Sequence, residues 1–272
     1  MVLIQIRRGS PTDPQATLLA PGEQAVDYSA SRAALYIGNE DGTHNDRTNG
    51  GQAGRFLRRV VKSGSDTSYV AGTGAVTALI RMIGGGGGGG GIATFTSNSG
   101  GGAGGAAGGF LYVQATVTAG TSYTCAIGAA GTGGAAGNNA GTAGGATTLT
   151  IGATTYTANG GGGGAGGNAV AVGFTLGGAP AAVSTNGDLN LSSMGGMFGF
   201  NRSTSAAVAG FGGSCEFGNG GAMRSTHGNG NNALGYGGGG GGGCNISNGG
   251  NVGGGNGTGG VIVIDEYSGA ES

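Results

Sequence analysis

The chain has 272 residues, of which 74 are glycine and 4 proline, with no tryptophan and a formal net charge of −1 at pH 7. Glycine at this level is costly to order and usually marks linkers or disorder. A hydrophobic fraction of 37% gathered in periodic blocks, with only 8% charged residues, argues against a solvated chain. The near-neutral balance gives no electrostatic footprint for nucleic acid, no apolar span reaches the roughly 18 residues a membrane helix needs, and glycines in doublets and long runs rather than at every third position, with scarce proline, exclude collagen.

From the N-terminus, Val2-Leu-Ile-Gln-Ile-Arg-Arg8 is predicted as a strand, ended by the turn-forming Gly9-Ser-Pro-Thr-Asp-Pro14. A short apolar piece follows at Leu18-Leu-Ala-Pro-Gly-Glu23, then a hairpin of residues 24–28 and 34–37, then a tight turn at Asn39-Glu-Asp-Gly42. Met1-Val-Leu-Ile-Gln-Ile6 runs directly into Arg7-Arg8, which is no signal peptide and predicts synthesis in a cytoplasm without export by the usual route.

Ile4-Gln-Ile-Arg-Arg-Gly9, Pro21-Gly22-Glu23 and Leu35-Tyr-Ile-Gly-Asn-Glu-Asp-Gly-Thr43 together resemble the small N-terminal domain of bacteriophage tail fibres and tropism-determining proteins. Asp13-Pro14-Gln15 departs from that family's usual aromatic and Asn-Pro elements. The resemblance implies a β-rich module that trimerises and attaches to a virion.

Arg55-Phe-Leu-Arg-Arg-Val-Val-Lys62 is predicted as a strand because of its adjacent valines and following Ser63-Gly64. With no aromatic residue interleaved for bases to stack on, its basic residues suit a solvated face or an inter-subunit ion pair rather than phosphate. The Ser/Thr/Gly-rich residues 63–74 are predicted as a connector.

The second half opens with the apolar strand 75–83 and eight consecutive glycines, 84–91. A hairpin is predicted from 110–117 and 122–127, a second from 147–151 and 154–158 with Gly152-Ala153 at its tip, and glycine-rich crossings at 128–145, 160–167, 237–243 and 253–260. Val261-Ile-Val-Ile-Asp-Glu-Tyr267 has the unbroken apolar start of a central, twice-covered strand. Glycine in the runs suggests polyglycine II, a left-handed helix of three residues per turn and about 3.1 Å rise, several of which pack side by side through inter-helix hydrogen bonds. This order also resembles the glycine-rich domains of phage appendages and of adhesins at long tail-fibre tips, which implies stacked polyglycine helices whose connecting loops meet the host surface.

Residues 168–236 interrupt the pattern. They hold Phe174, Phe198, Phe200, Phe211 and Phe217, three methionines, His227, and Asp188, Arg202, Glu216 and Arg224, the only charges between residues 84 and 260. Large side chains on loops of a side-chain-poor scaffold suit recognition, so Asp188, Phe198, Phe200, Asn201, Arg202, Phe217, Arg224, His227 and Tyr236 are the candidate receptor-binding residues. A small local core is an equal reading of the phenylalanines. Three widely spaced cysteines, Cys125, Cys215 and Cys244, read as free thiols, with one disulfide as the alternative.

Enzymatic chemistry finds little support. No Gly-Lys-Ser/Thr follows any glycine run, His44 and His227 form no metal-binding spacing, and no Ser-His-Asp set assembles. Asp188 and Glu216 lack the aromatic-lined context of a glycosidase pair.

The expectation is an all-β protein with an N-terminal β domain (1–62), a linker (63–74) and a glycine-rich β-sandwich-like domain (75–272) with packed polyglycine II helices. It would be a non-enzymatic, homotrimeric virion adhesin with no catalytic residue, cofactor or metal. Its partners would be other tail or baseplate proteins and a host polysaccharide or outer-membrane protein, with no nucleic acid and no membrane insertion. The alternatives are a structural virion decoration or spike protein, an ice-binding or wall-type glycine-rich protein, and a depolymerase.

Overall fold

Extended backbone dominates, as glycine runs flanked by β-branched and aromatic blocks require. The computed structural model describes residues 6–8, 24–29, 32–38, 44–46, 54–94, 98–168, 173–246 and 249–269. Among these residues the chain is all-β, in several small, mainly antiparallel sheets, with no helix.

The N-terminal sheet runs in sequence order: Ile6–Arg8, Gln24–Ser29, Arg32–Gly38 and His44–Asp46. Its middle pair is the expected hairpin, with Ser29 opposite Arg32. The first strand joins parallel. The pieces predicted at 18–23 and 39–42 lie outside the described residues.

A five-stranded antiparallel sheet follows the order Leu189–Leu191, Phe110–Thr116, Ala75–Ile83, Val261–Ser268, Phe56–Ser63. Val261 to Glu266 are all buried, as the unbroken apolar run predicts for a strand with neighbours on both sides. Phe56–Ser63 is a strand, but its placement differs from the expectation. It pairs with Val261–Ser268, setting Arg59 opposite Asp265 and Arg58 opposite Glu266. These arginines remain about half exposed, as a solvated face would be, but they also pair with carboxylates from the far end of the same chain that sit directly across the ladder. Residues 56–62, read as part of the N-terminal domain, thus complete this sheet, and the expected connector 63–74 contributes Ser63 to the same strand and contains the strand Ser68–Val70.

The second sheet has the order Thr154–Ala158, Thr147–Ile151, Ser122–Ala126, Ser68–Val70. The hairpin 147–158 forms in the expected register, with Gly152 at φ 61° at its tip, the left-handed conformation that favours glycine. The other expected hairpin does not form. Phe110–Thr116 pairs with Ala75–Ile83, whereas Ser122–Ala126 pairs with Thr147–Ile151 and Ser68–Val70. The chain changes sheets at residues 118–121, and alternation on both strands then serves one core between the sheets. Leu111, Val113, Tyr123, Cys125 and Leu149 all belong to it, with Ile80, Met82, Ile262 and Ile264.

From the end of the Ala75–Ile83 strand the chain continues as the eight glycines, all buried. Their amides donate with a period of three. Gly84, Gly87 and Gly90 bond to the carbonyls of Gly109, Ala106 and Ala103 at 2.8 to 3.1 Å; Gly85, Gly88 and Gly91 bond to those of Gly145, Thr142 and Asn139; Gly86 and Gly89 bond to those of Thr258 and Gly255. The partner number falls by three at each step, so the run is antiparallel to these three neighbours. Its carbonyls accept with the same period from three parallel neighbours: Gly161, Gly164 and Gly167 on one, Gly131 and Gly134 on a second, Gly240 and Gly243 on a third. Six segments therefore surround one, and its buried backbone groups find partners without any side chain.

Residues 101–109 and 237–243 are likewise buried throughout. Around the periphery only every third position is buried: Gly128, Gly131, Gly134 and Gly137; then Ala158, Gly161, Gly164 and Gly167; then Thr175, Gly178, Ala181 and Ser184. A period-three signal is thus present in the outer segments, where the positions between are less buried and several carry alanine, threonine or asparagine, although others, such as Gly160 and Gly163, still lie against neighbouring backbone. At the centre all three faces are covered. An added Cβ at any of residues 84–91 would come closer than 3.0 Å to backbone of a neighbouring segment.

Candidate functional site

The outer segments end in a three-stranded antiparallel sheet of Gly173–Thr175, Gly199–Ser203 and Ala206–Val208. Strand alternation gives it two unlike faces. Asn201 and Ala207 lie opposite each other and are buried. Asn201 Oδ1 accepts the Gly101 N–H at 2.7 Å, and Thr175 Oγ1 donates to the Gly101 carbonyl at 2.6 Å while accepting the Gly199 N–H at 3.1 Å. These bonds fix the inner face to the buried run 101–109.

On the outer face Phe174 pairs with Phe200, and Phe200 with Val208. The Phe174 ring lies 5.2 Å from that of Phe200 at 33° and 5.7 Å from that of Phe198 at 74°. Phe174 and Leu176 are 69% and 77% exposed, and Phe198 is 46% exposed. Met194, Met197 and Met223 are also exposed. Clustered apolar exposure of this kind marks an interaction surface rather than ordinary surface scatter.

The remaining expected residues separate. Phe198 and Phe200 belong to this face, and Arg202 is exposed two residues beyond Phe200 on the same strand. Asn201 does not belong to it: strand alternation turns it inward, where it is 1% exposed. Asp188 is exposed, but its Oδ2 accepts the Gln114 N–H at 2.8 Å and holds its loop to the edge of the five-stranded sheet. Phe217 packs against Ile83, Val261 and Val263, with the Arg81 guanidinium 5.6 Å from its ring centroid, so for this phenylalanine the local-core reading applies. Tyr236 is 39% exposed and its carbonyl accepts from Cys215 Sγ at 3.0 Å. Arg224 is half-buried, its carbonyl accepting the Ala209 N–H, and the exposed His227 lies against Gly249. Phe174, Leu176 and Val208 were missing from the expected set. The signal available for them was the alternation Gly173-Phe-Thr-Leu176, in which a small or polar residue separates apolar ones.

The charged centre lies elsewhere, on the final strand. Glu266 is fully buried and accepts from Arg58 Nε at 2.8 Å, Arg58 Nη2 at 3.1 Å, Tyr69 Oη at 2.8 Å and the Gly72 N–H at 3.1 Å. Burial pushes its carboxyl up, but the Arg58, Tyr69 and Gly72 bonds outweigh this and hold it below the usual value. Asp265 is bonded by Arg59 at 2.6 and 2.9 Å and by Arg81 at 3.2 Å, and its carboxyl is likewise lowered, chiefly by the Arg59 hydrogen bond. The arginine and tyrosine donors here go to carboxylates of the same chain, with Arg58 Nη2 also donating to the Val70 carbonyl at 2.8 Å, which is the pattern of a structural clasp. The three cysteines are free, and burial pushes the Cys244 thiol up to about 11.

The family model described as "Glycine-rich domain" matches residues 65–267, and the chain belongs to this family. No curated protein matches the sequence. The match begins ahead of the Ser68–Val70 strand and ends within Val261–Ser268, so it takes in the glycine runs and the exposed aromatic sheet.

Proposed function

We propose that this protein is a non-enzymatic adhesin of a bacteriophage tail fibre or related appendage. Its glycine runs are polyglycine II helices, packed beside a β-sandwich-like pair of sheets, and they form the scaffold. The face of Phe174, Phe198, Phe200, Leu176 and Val208 is the part that meets the host surface, a polysaccharide or an outer-membrane protein. Three copies associate through the N-terminal module, which attaches to tail or baseplate proteins, and the protein is carried on virions assembled in the host cytoplasm.

The observation that carries the reading is the contrast between scaffold and face. The buried runs are held by backbone hydrogen bonds in all directions, which makes a rigid body, while large aromatic side chains are left exposed on one outer sheet. Rigid presentation lowers the ordering cost of binding, and three copies supply avidity from individually weak contacts. The resemblance of residues 4–43 to the fibre module supplies the virion context.

The test is adsorption of virions carrying Phe174→Ser, Phe198→Ser and Phe200→Ser together. Adsorption is expected to slow by about tenfold or more, with normal incorporation of the protein. Unchanged adsorption at full incorporation refutes the assignment of the face. Immunogold labelling of the head lattice instead of the tail would favour a decoration protein.

A further inference from the structure

Where the chain changes sheets, the corner 118–121, the hairpin 151–156 and the free half of the Phe110–Thr116 edge enclose an open groove of about 760 Å³, inside the roughly 300–1,000 Å³ range of small-ligand sites. We propose that this groove binds a neutral carbohydrate, two or more sugar rings long, as a site separate from the phenylalanine face.

The groove is built rather than left over. The Thr118 N–H donates to Tyr123 Oη at 2.8 Å, the Thr121 N–H to the Thr118 carbonyl at 3.0 Å, and the Ala71 N–H to the Thr121 carbonyl at 3.0 Å. Tyr123 in turn stacks on Tyr69 with ring centroids 5.7 Å apart. The backbone and the Tyr123 hydroxyl are thereby committed, and the corner is rigid. Along the sheet edge, Leu189–Leu191 covers only Phe110 to Tyr112, and Asp188 caps Gln114, so the strand is open beyond that point.

Most of the lining is unspent. Gln114, Thr116, Thr118, Thr121, Thr124 and Tyr156 line the groove, and among the described residues none of their side-chain polar groups makes a protein hydrogen bond, whereas Thr150 Oγ1 is shared with Thr155 Oγ1 at 2.9 Å. No lysine, arginine, aspartate or glutamate lines it. Hydroxyls that both donate and accept, one amide and one aromatic ring are the groups that match the hydroxyls and the apolar C–H faces of a neutral sugar. An anionic ligand would find no counter-charge, and an apolar ligand would desolvate this hydroxyl array without replacing its bonds.

The experiment is saturation-transfer difference NMR of the full chain with maltoheptaose, a manno-oligosaccharide and a galacto-oligosaccharide, with a heparin fragment as the anionic control. At least one neutral oligosaccharide is expected to bind with millimolar affinity. Tyr156→Ala and Thr124→Val are each expected to weaken that binding by about tenfold, whereas Leu234→Ser, at an exposed residue outside both the groove and the phenylalanine face, leaves it unchanged. Thr121→Val serves as a further groove variant should Tyr156→Ala fail to fold, as checked by its thermal transition. The proposal is overturned if no neutral oligosaccharide binds, if only the heparin fragment binds, or if binding survives the folded groove variants. Saccharide binding lost on groove substitution reads the groove, and adsorption lost on substitution of the phenylalanine face reads that face, so either reading can fail while the other stands.

Discussion

Substituting one methyl group at the middle of the eight-glycine run tests the backbone lattice directly. In Gly88→Ala the new Cβ meets the Thr132 carbonyl and the Gly133 nitrogen, both closer than 3.0 Å and both backbone, so no side chain can rotate away. The run and the segment 128–134 must move apart. Forcing a methyl group into a filled interior costs about 1–3 kcal/mol. The movement also strains the bond from the Gly88 N–H to the Thr142 carbonyl and the bond from the Gly164 N–H to the Gly88 carbonyl, at 2.9 and 2.8 Å, each worth about 0.5–1.5 kcal/mol. Alanine's smaller unfolded-state entropy returns about 0.4–1 kcal/mol. The net loss is about 1–5 kcal/mol, a sizeable part of a domain's usual stability of about 5–15 kcal/mol. Guanidinium denaturation with an unchanged m-value measures it. Gly250→Ala is the control, since its Cβ has nothing within 4 Å, and it should cost about 0.5 kcal/mol at most. If Gly88→Ala proves as mild as the control, the packing of the buried run is not what holds this region together.

The clasp on the last strand gives a pH prediction. Asp265 and Glu266 have folded-state values lowered from 3.8 and 4.5. Their contribution is therefore fully present above about pH 5 and is lost as the pH falls through the lowered values, so an acid titration of the denaturation midpoint should decline in that range. Glu266→Gln should remove about 1–3 kcal/mol and flatten the decline; an unchanged acid profile would count against the clasp. Asn201→Ala leaves the buried Gly101 N–H without its acceptor and should also cost about 1–3 kcal/mol, whereas Phe198→Ser, at the residue just before the same strand, should stay within about 0.5 kcal/mol of the parent. Equal losses from the two would refute the assignment of inner and outer faces. Finally, the buried Cys125 and Cys244 should resist a thiol reagent in the native protein and react on unfolding, a contrast read by absorbance with and without denaturant.

The elements read most directly from the sequence are those whose side chains carry their own instructions. Val261-Ile-Val-Ile264 could only be a strand covered on both sides, and Gly152 between two threonine-rich blocks could only be a hairpin tip. Alternation also marked Leu111, Val113, Tyr123 and Cys125 as inward-facing. It did not say to which sheet each strand belongs, and so the expected 110–127 hairpin became two strands in two sheets. The same limit affected the candidate site. Phe198 and Phe200 were recognisable as large residues in an insert that interrupts the long glycine runs, but Asn201 was grouped with them because the strand that turns it inward was not apparent. Arg58 and Arg59 found their carboxylates about 200 positions away along the chain, a separation across which no local pattern speaks.

By itself, then, the sequence determined the class of structure: extended chain throughout, side-chain cores where β-branched and aromatic residues alternate, and backbone-only packing where glycine runs unbroken. Only the tertiary structure decided which run lies against which. A glycine has no side chain with which to select a neighbour, so residues 84–91 are equally suited to any extended partner. Their six neighbours are set by the sheets and hairpins at the ends of each crossing, which bring the segments alongside one another in the register that satisfies every third amide and carbonyl.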